Sequence, residues 1–202
     1  MRRIALFLII ILASFTAAGC GQFGKRYGGD KNTSNAGAEK KITDTKWNAA
    51  TRTKDGCLDK KEHENEGRQH TTDIGEKVTY KINPPVSGNH YEIAVEWGLY
   101  DKTQPDVQTV HNLEHGHIVV THKGLTPKDQ TQLLDQARIN PFHLLVQPRA
   151  KNPKNGVYYT AWDVQIYCKH PSAAALQYMI TEYRDQGPEL YTDDASTGDM
   201  GV

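Results

Sequence analysis

The stretch HIVVTHKGLTPKDQTQLLDQA, residues His117 to Ala137, places a strand directly before a helix and decides the fold class. His117 to Thr121 is a β-branched run without polar alternation, the profile of a buried strand. Thr126 then reads as an N-cap, Pro127 sits at the first helical position, and Asp129 favours the positive end of the helix dipole. Leu133, Leu134 and Ala137 form the inward stripe of that helix. Downstream, Phe142 to Gln147 reads as a second strand. Tyr158 to Ala161 with Val164 to Cys168 reads as one long strand or a hairpin, preceded by the turn-forming Asn155-Gly156. Pro171-Ser172 opens a second helix, with Leu176, Met179, Ile180 and Tyr183 on one face. The order β-α-β-β-α predicts an α+β domain: a mixed β-sheet with two helices packed on it.

Upstream, Val78 to Ile82 alternates apolar and polar residues and predicts a strand, stopped by Asn83-Pro84-Pro85 because proline cannot donate to a ladder. Pro84 to His90 is expected to be loop, and Tyr91 to Trp97 a short extended piece before Gly98. One globular domain is expected over residues 46–190, followed by a polar, disordered tail over 191–202.

The first nineteen residues read as a secretory signal. Arg2 and Arg3 form a positive start, Ile4 to Leu12 are unbroken apolar residues, and Ala17-Ala18-Gly19 offers the small side chains of a cleavage site. The apolar run is too short for a membrane span, which needs about 20 residues. Ala17-Ala18-Gly19-Cys20 resembles the lipobox of bacterial lipoproteins, which implies lipidation at Cys20 and a membrane attachment through that lipid on the extracytoplasmic face. Residues 20–45 then form a flexible tether, almost free of large apolar side chains, with a reach of roughly 25 Å by random-coil scaling. Loss of Arg2 and Arg3 leaves 22 of the 24 basic residues against 24 acidic ones. A charge of about −2 excludes an electrostatic footprint for nucleic acid and a basic stripe for anionic lipid.

An exported chain with three cysteines divides them into Cys20 for the anchor and one pair. A Cys57–Cys168 disulfide is therefore expected, closing a loop of 111 residues.

Histidine is the main chemical signal. Of nine in the chain, five fall between His90 and His122, and four of those crowd into His111-Asn112-Leu113-Glu114-His115-Gly116-His117 and His122. Imidazole with carboxylate is the usual donor set for Zn²⁺ and also suits Cu²⁺ or Ni²⁺. In a helical turn, His111 and His115 stack at i and i+4 with Glu114 beside them. In a strand they would lie about 13 Å apart, leaving His115 and His117 as the usable pair. Gly116 as a terminator favours the helical turn. His-x-x-Glu-His also matches an inverted zinc-protease motif, in which the glutamate activates water, with Glu182 or Glu189 as a distant ligand. Such enzymes carry it in a long helix, whereas here glycine ends the turn at once. In Asn83 to Tyr91 two prolines stiffen the approach to His90, giving either a preorganised ligand or a structural turn.

Asn83-Pro84-Pro85-x-Ser87-Gly88-x-His90-Tyr91, then Trp97-Gly98-x-Tyr100, then Val110 to Gly116 and Ile118-Val119-Val120, resembles the bacterial family catalogued as domain of unknown function 3105, from about Cys57 to Tyr183. The resemblance implies His90, His111 and His115 as the site core; it does not call for histidine at His117 and His122, which it leaves as extras. It implies no activity. The first expectation is a membrane-anchored lipoprotein in which His90, His111 and His115 ligate a divalent transition metal, Zn or Cu, with Glu114 as fourth ligand or orienting group, and no catalytic residue. The alternatives are a metal-dependent hydrolase with Glu114 as base, and an envelope interaction module without metal.

Overall fold

β5 (Ile118–Lys123) runs through the sheet interior, and its side chains alternate between two buried faces. The structure, a computed structural model, describes residues 46–189; the expected signal, Cys20, the tether and the tail lie outside the described residues. Six strands pair in the order β1-β8-β7-β5-β6-β4. β4 (Gly98–Leu99) and β5 both run parallel to β6 (Leu144–Pro148). β7 (Gly156–Ala161), β8 (Val164–Cys168) and β1 (Lys61–Glu62) continue antiparallel from β5. The sheet is mixed, as expected of the α+β class. Its parallel pair β5/β6 is connected by α3 (Pro127–Ile139), the crossover that parallel neighbours require.

On one face Ile118 and Val120 pack with Leu133 of α3, Leu144, Val146, Tyr159, and Met179 of α4 (Ala173–Tyr183). On the other, Val119 and Leu145 pack with Tyr100 and with Leu113 of α2 (Asp106–Glu114). Each fully buried aliphatic side chain here contributes about 1.5–3 kcal/mol. α2 thus lies across the sheet from α3 and α4. Thr126 caps α3 by accepting from the Asp129 amide at 3.1 Å, and Ser172 caps α4 by accepting from the Ala175 amide at 3.2 Å. Residues 158–168 form the hairpin β7/β8, turning at Trp162 and Asp163.

The two expected helices form as α3 and α4, two further helices join them, and two strand expectations need correction. α1 (Ala49–Asp55) buries no residue and is defined by its ends, an Asn48–Thr51 capping box and a left-handed Gly56. α2 extends the expected turn at His111 to nine residues. Residues 78–82, in turn, form no strand. The amides of Lys81 and Ile82 donate to the carboxylate of Glu66, at 2.7 and 2.9 Å, so a side chain occupies the donors that a neighbouring strand would have used. The extended piece expected over 91–97 is broken by bends: β3 (His90–Tyr91) ends at its first residue and β4 begins just beyond it. β3 pairs parallel with β2 (His70–Thr71) in a small second sheet.

Cys57 and Cys168 form the expected disulfide, next to the backbone bonds Leu58 N to Tyr167 O and Lys169 N to Gly56 O. Among the described residues no helix is long and apolar enough to cross a membrane.

Candidate metal centre

α2 is aimed by its first turn. The buried Arg149 guanidinium donates Nε and Nη2 to the two Asp106 carboxylate oxygens at 2.8 and 2.9 Å, and Nη1 to Asn83 Oδ1 at 2.6 Å and Asn152 Oδ1 at 3.0 Å. A buried cation is tolerated there because its donors are paired. Midway along the helix, Asn112 clasps the chain at Val95. Its Oδ1 accepts from the Val95 amide at 3.1 Å and its Nδ2 donates to the Val95 carbonyl at 2.7 Å. The helix ends with Gly116 in the left-handed region at φ 77°, as its terminator role predicts.

The loop that delivers His90 is fixed as firmly. Residues 84–88 are buried, Ser87 Oγ accepts from the Glu66 amide at 3.1 Å, and the Gly88 amide donates to Gly67 O at 2.9 Å. Gly88 has φ 122°, and a Cβ there would meet the Tyr80 ring at 2.8 Å, so only glycine fits. β3 then pairs with β2 in a register that sets His70 beside His90.

These elements converge on four donors. One ligand atom each from His70, His90, His111 and Glu114 lies within 4.8 Å of all the others. Glu114 Oε2 is 2.8 Å from His90 Nε2 and 3.1 Å from His70 Nε2. His90 and Glu114 are almost fully buried, His111 is 6% exposed, and the His70 side chain is 39% exposed.

The far sides of the rings set the tautomers. His90 Nδ1 is 2.8 Å from the Gly88 carbonyl and His111 Nδ1 is 2.8 Å from the Tyr91 carbonyl. A carbonyl only accepts, so each Nδ1 carries a proton and donates it. A neutral ring then has a lone pair on Nε2: that of His90 meets Glu114 Oε2, and that of His111 meets His115 Nε2 at 2.7 Å. His90 Nε2 and Glu114 Oε2 are thus two electron-rich atoms in contact. Only a cation between them, a proton or a metal ion, makes that arrangement favourable.

Of the residues expected to bind metal, His90, His111 and Glu114 are in this group. His115 stands beside it: its ring stacks on His111 with centroids 4.6 Å apart, and the two Nε2 atoms are 2.7 Å apart. The α-helix excludes the strand geometry for His111 to His115. His117 turns away, accepting from Asn112 Nδ2 at 2.9 Å and stacking on His143 at 4.4 Å, and His122 is buried on β5 outside the group. Glu182 is exposed on α4, and Glu189 meets α2 through its backbone, donating to Glu114 O at 3.1 Å. His70 was not anticipated. It lies in a polar stretch with no periodicity, and only the β2/β3 pairing brings it to the site.

Burial pushes His111 down to about 4 and His117 down to about 3, the latter helped by the neighbouring His143, His115 and His111. Burial also lowers His115 and His122. Burial alone would raise the Glu114 carboxyl, but hydrogen bonds and charge from His90 and His70 outweigh it and hold the group below its usual value. The unfolded chain therefore takes up protons at a higher pH than the folded one, for these histidines and for Glu114 alike. Stability of the metal-free protein is accordingly intact above about pH 6.5 and lost progressively as pH falls toward 3. Urea midpoints measured from pH 7.5 to 4 are expected to drop by a slope of more than one proton per molecule; midpoints that stay level would contradict buried neutral imidazoles.

Comparison with curated proteins and with solved structures returns no match. The family model described as "Protein of unknown function (DUF3105)" matches residues 71–196, a span that holds His90, His111, Glu114 and His115 and starts one residue after His70. With well over half of its length matched, the chain belongs to the DUF3105 family.

Proposed function

We propose that this chain binds one divalent transition metal ion, Zn²⁺ or Cu²⁺, through His70, His90 and His111 Nε2 and a Glu114 oxygen. The observation that carries the reading is the pair of Nδ1–H bonds to the Gly88 and Tyr91 carbonyls, which leave Nε2 as the ligating atom of two buried rings in one four-donor group. Metal-ligating histidines are oriented in this manner. Three nitrogens and a carboxylate oxygen suit Zn²⁺ or Cu²⁺ rather than Mg²⁺ or Ca²⁺. Glu114 Oε2 lies against two of the imidazoles, which favours a ligand role over that of a base acting on bound water.

The centre would sit outside the cytoplasm, on a chain held to the cell membrane by a lipid at Cys20 and free of any basic face for nucleic acid. Binding or passing on metal in that compartment is the function we assign. The direct test is a thermal titration. Zn²⁺ or Cu²⁺ at about a hundred times its Kd should stabilise the native state by about 2.7 kcal/mol, raising Tm by roughly 5 to 11 °C. Mg²⁺ should leave Tm where it was. A Tm unmoved by both transition metals would sink the reading.

A further inference from the structure

The four donors are not equivalent. His90 and His111 are buried and each has its Nδ1–H fixed by a backbone carbonyl, and Glu114 is buried at the end of a pinned helix. His70 differs on every count. Its side chain is 39% exposed, and among the described residues its polar contact is the single one from Nε2 to Glu114 Oε2 at 3.1 Å. Its ring stands against the other two imidazoles, 4.9 Å from His111 and 4.8 Å from His90 between centroids, as the solvent-facing wall of the cluster.

The backbone that carries it is also the least secured. β2 is two residues long and pairs with β3 alone, while Arg68, Gln69 and Thr72 around it are exposed. Its pairing rests on backbone bonds such as His90 N to Gln69 O and Glu92 N to Thr71 O, both 3.0 Å. Segments with so few buried contacts open locally at small cost, without unfolding the rest.

Building on the metal-binding reading above, we propose that His70 is the exchanging ligand of the centre, and that metal enters and leaves on its side. Hand-over to an acceptor offering nitrogen or sulfur donors begins there. The acceptor's lone pair forms a bond to the M²⁺ ion as the bond to His70 Nε2 breaks, and the imidazole leaves as a neutral base. The metal keeps its charge and no electron is transferred. His90, His111 and Glu114 hold the ion until further acceptor donors replace them. A centre built this way serves transfer of a metal rather than its permanent storage.

Release kinetics test this. The full-length chain loaded with one equivalent of Zn²⁺ is mixed with excess 4-(2-pyridylazo)resorcinol, and the coloured zinc complex is followed with time. His70→Ala should still bind Zn²⁺ but release it roughly tenfold faster or more. His70→Gln, which keeps a polar partner for Glu114 but has no imidazole, should also release fast. Release at the wild-type rate in both variants, or complete loss of Zn²⁺ binding in both, overturns the proposal while leaving the metal-binding reading standing. Wild-type protein that takes up neither Zn²⁺ nor Cu²⁺ overturns both.

Discussion

His90→Ala is expected to abolish the metal-dependent rise in Tm, so that Zn²⁺ sufficient to stabilise the wild type by about 2.7 kcal/mol leaves the variant unchanged. The reason lies in how His90 is held. Its ring is fully buried, its Nδ1–H is fixed on Gly88 O, and its Nε2 meets Glu114 Oε2 at 2.8 Å. No other imidazole can take that position, because Gly88 has no room for a side chain and the two prolines before it fix the approach of the loop. The substitution also leaves the Gly88 carbonyl without its donor and removes one of the two imidazoles facing Glu114. The metal-free variant is therefore expected to be less stable by a further 1 to 3 kcal/mol, on the order of one buried group left unpaired. Differential scanning fluorimetry with and without Zn²⁺ separates the two effects. A His90→Ala protein that keeps the full metal-induced shift would remove His90 from the site.

Much of this could be read from the residues. β5 and β6 read as apolar runs because both faces of each strand are buried, and α3 and α4 follow their apolar stripes and their N-caps Thr126 and Ser172. α2 escaped as a full helix for a physical reason. From Gln108 to Glu114 it is buried on every side, and most of its buried residues are polar groups engaged in hydrogen bonds, so no apolar stripe marks it. Val78 to Ile82 misled in the opposite direction: the alternation is real, but the backbone donors are taken by Glu66 rather than by a strand. At the site, His90, His111 and Glu114 were legible from residue type and spacing. His115 lies beside the group instead, its ring stacked on His111 with the two Nε2 atoms 2.7 Å apart. His70 depends on a two-residue pairing between segments twenty positions apart, and nothing local to Gln69-His70-Thr71 encodes that partner.

Reduction of Cys57–Cys168, or the double replacement Cys57→Ser/Cys168→Ser, is expected to lower stability by about 4 kcal/mol and Tm by roughly 8 to 16 °C. The bond closes a loop of 111 residues, and on chain-entropy grounds its loss frees that loop in the unfolded state. The folded state offers little to compensate at this end of the molecule. α1 has no buried residue, and besides the disulfide its segment is held by short backbone bonds to the end of β8 and by Trp47 stacking on Tyr178 at 5.7 Å. Cys57 precedes the span matched by the family model, and the candidate metal donors lie beyond Cys57 in sequence, on α2, β2 and β3. Loss of the bridge should thus cut stability while leaving the metal-induced Tm shift in place. Chemical denaturation under oxidising and reducing conditions measures the first quantity; a midpoint indifferent to reduction would contradict it.

The central claim is a metal centre built from His70, His90, His111 and Glu114, and the most direct test is elemental analysis by mass spectrometry. The chain, purified without a polyhistidine tag and equilibrated with Zn²⁺ or Cu²⁺, is dialysed free of loose metal and its content measured. One ion per chain in the wild type, falling to none in His90→Ala, is the predicted result. A wild type with no more metal than the variant would contradict it.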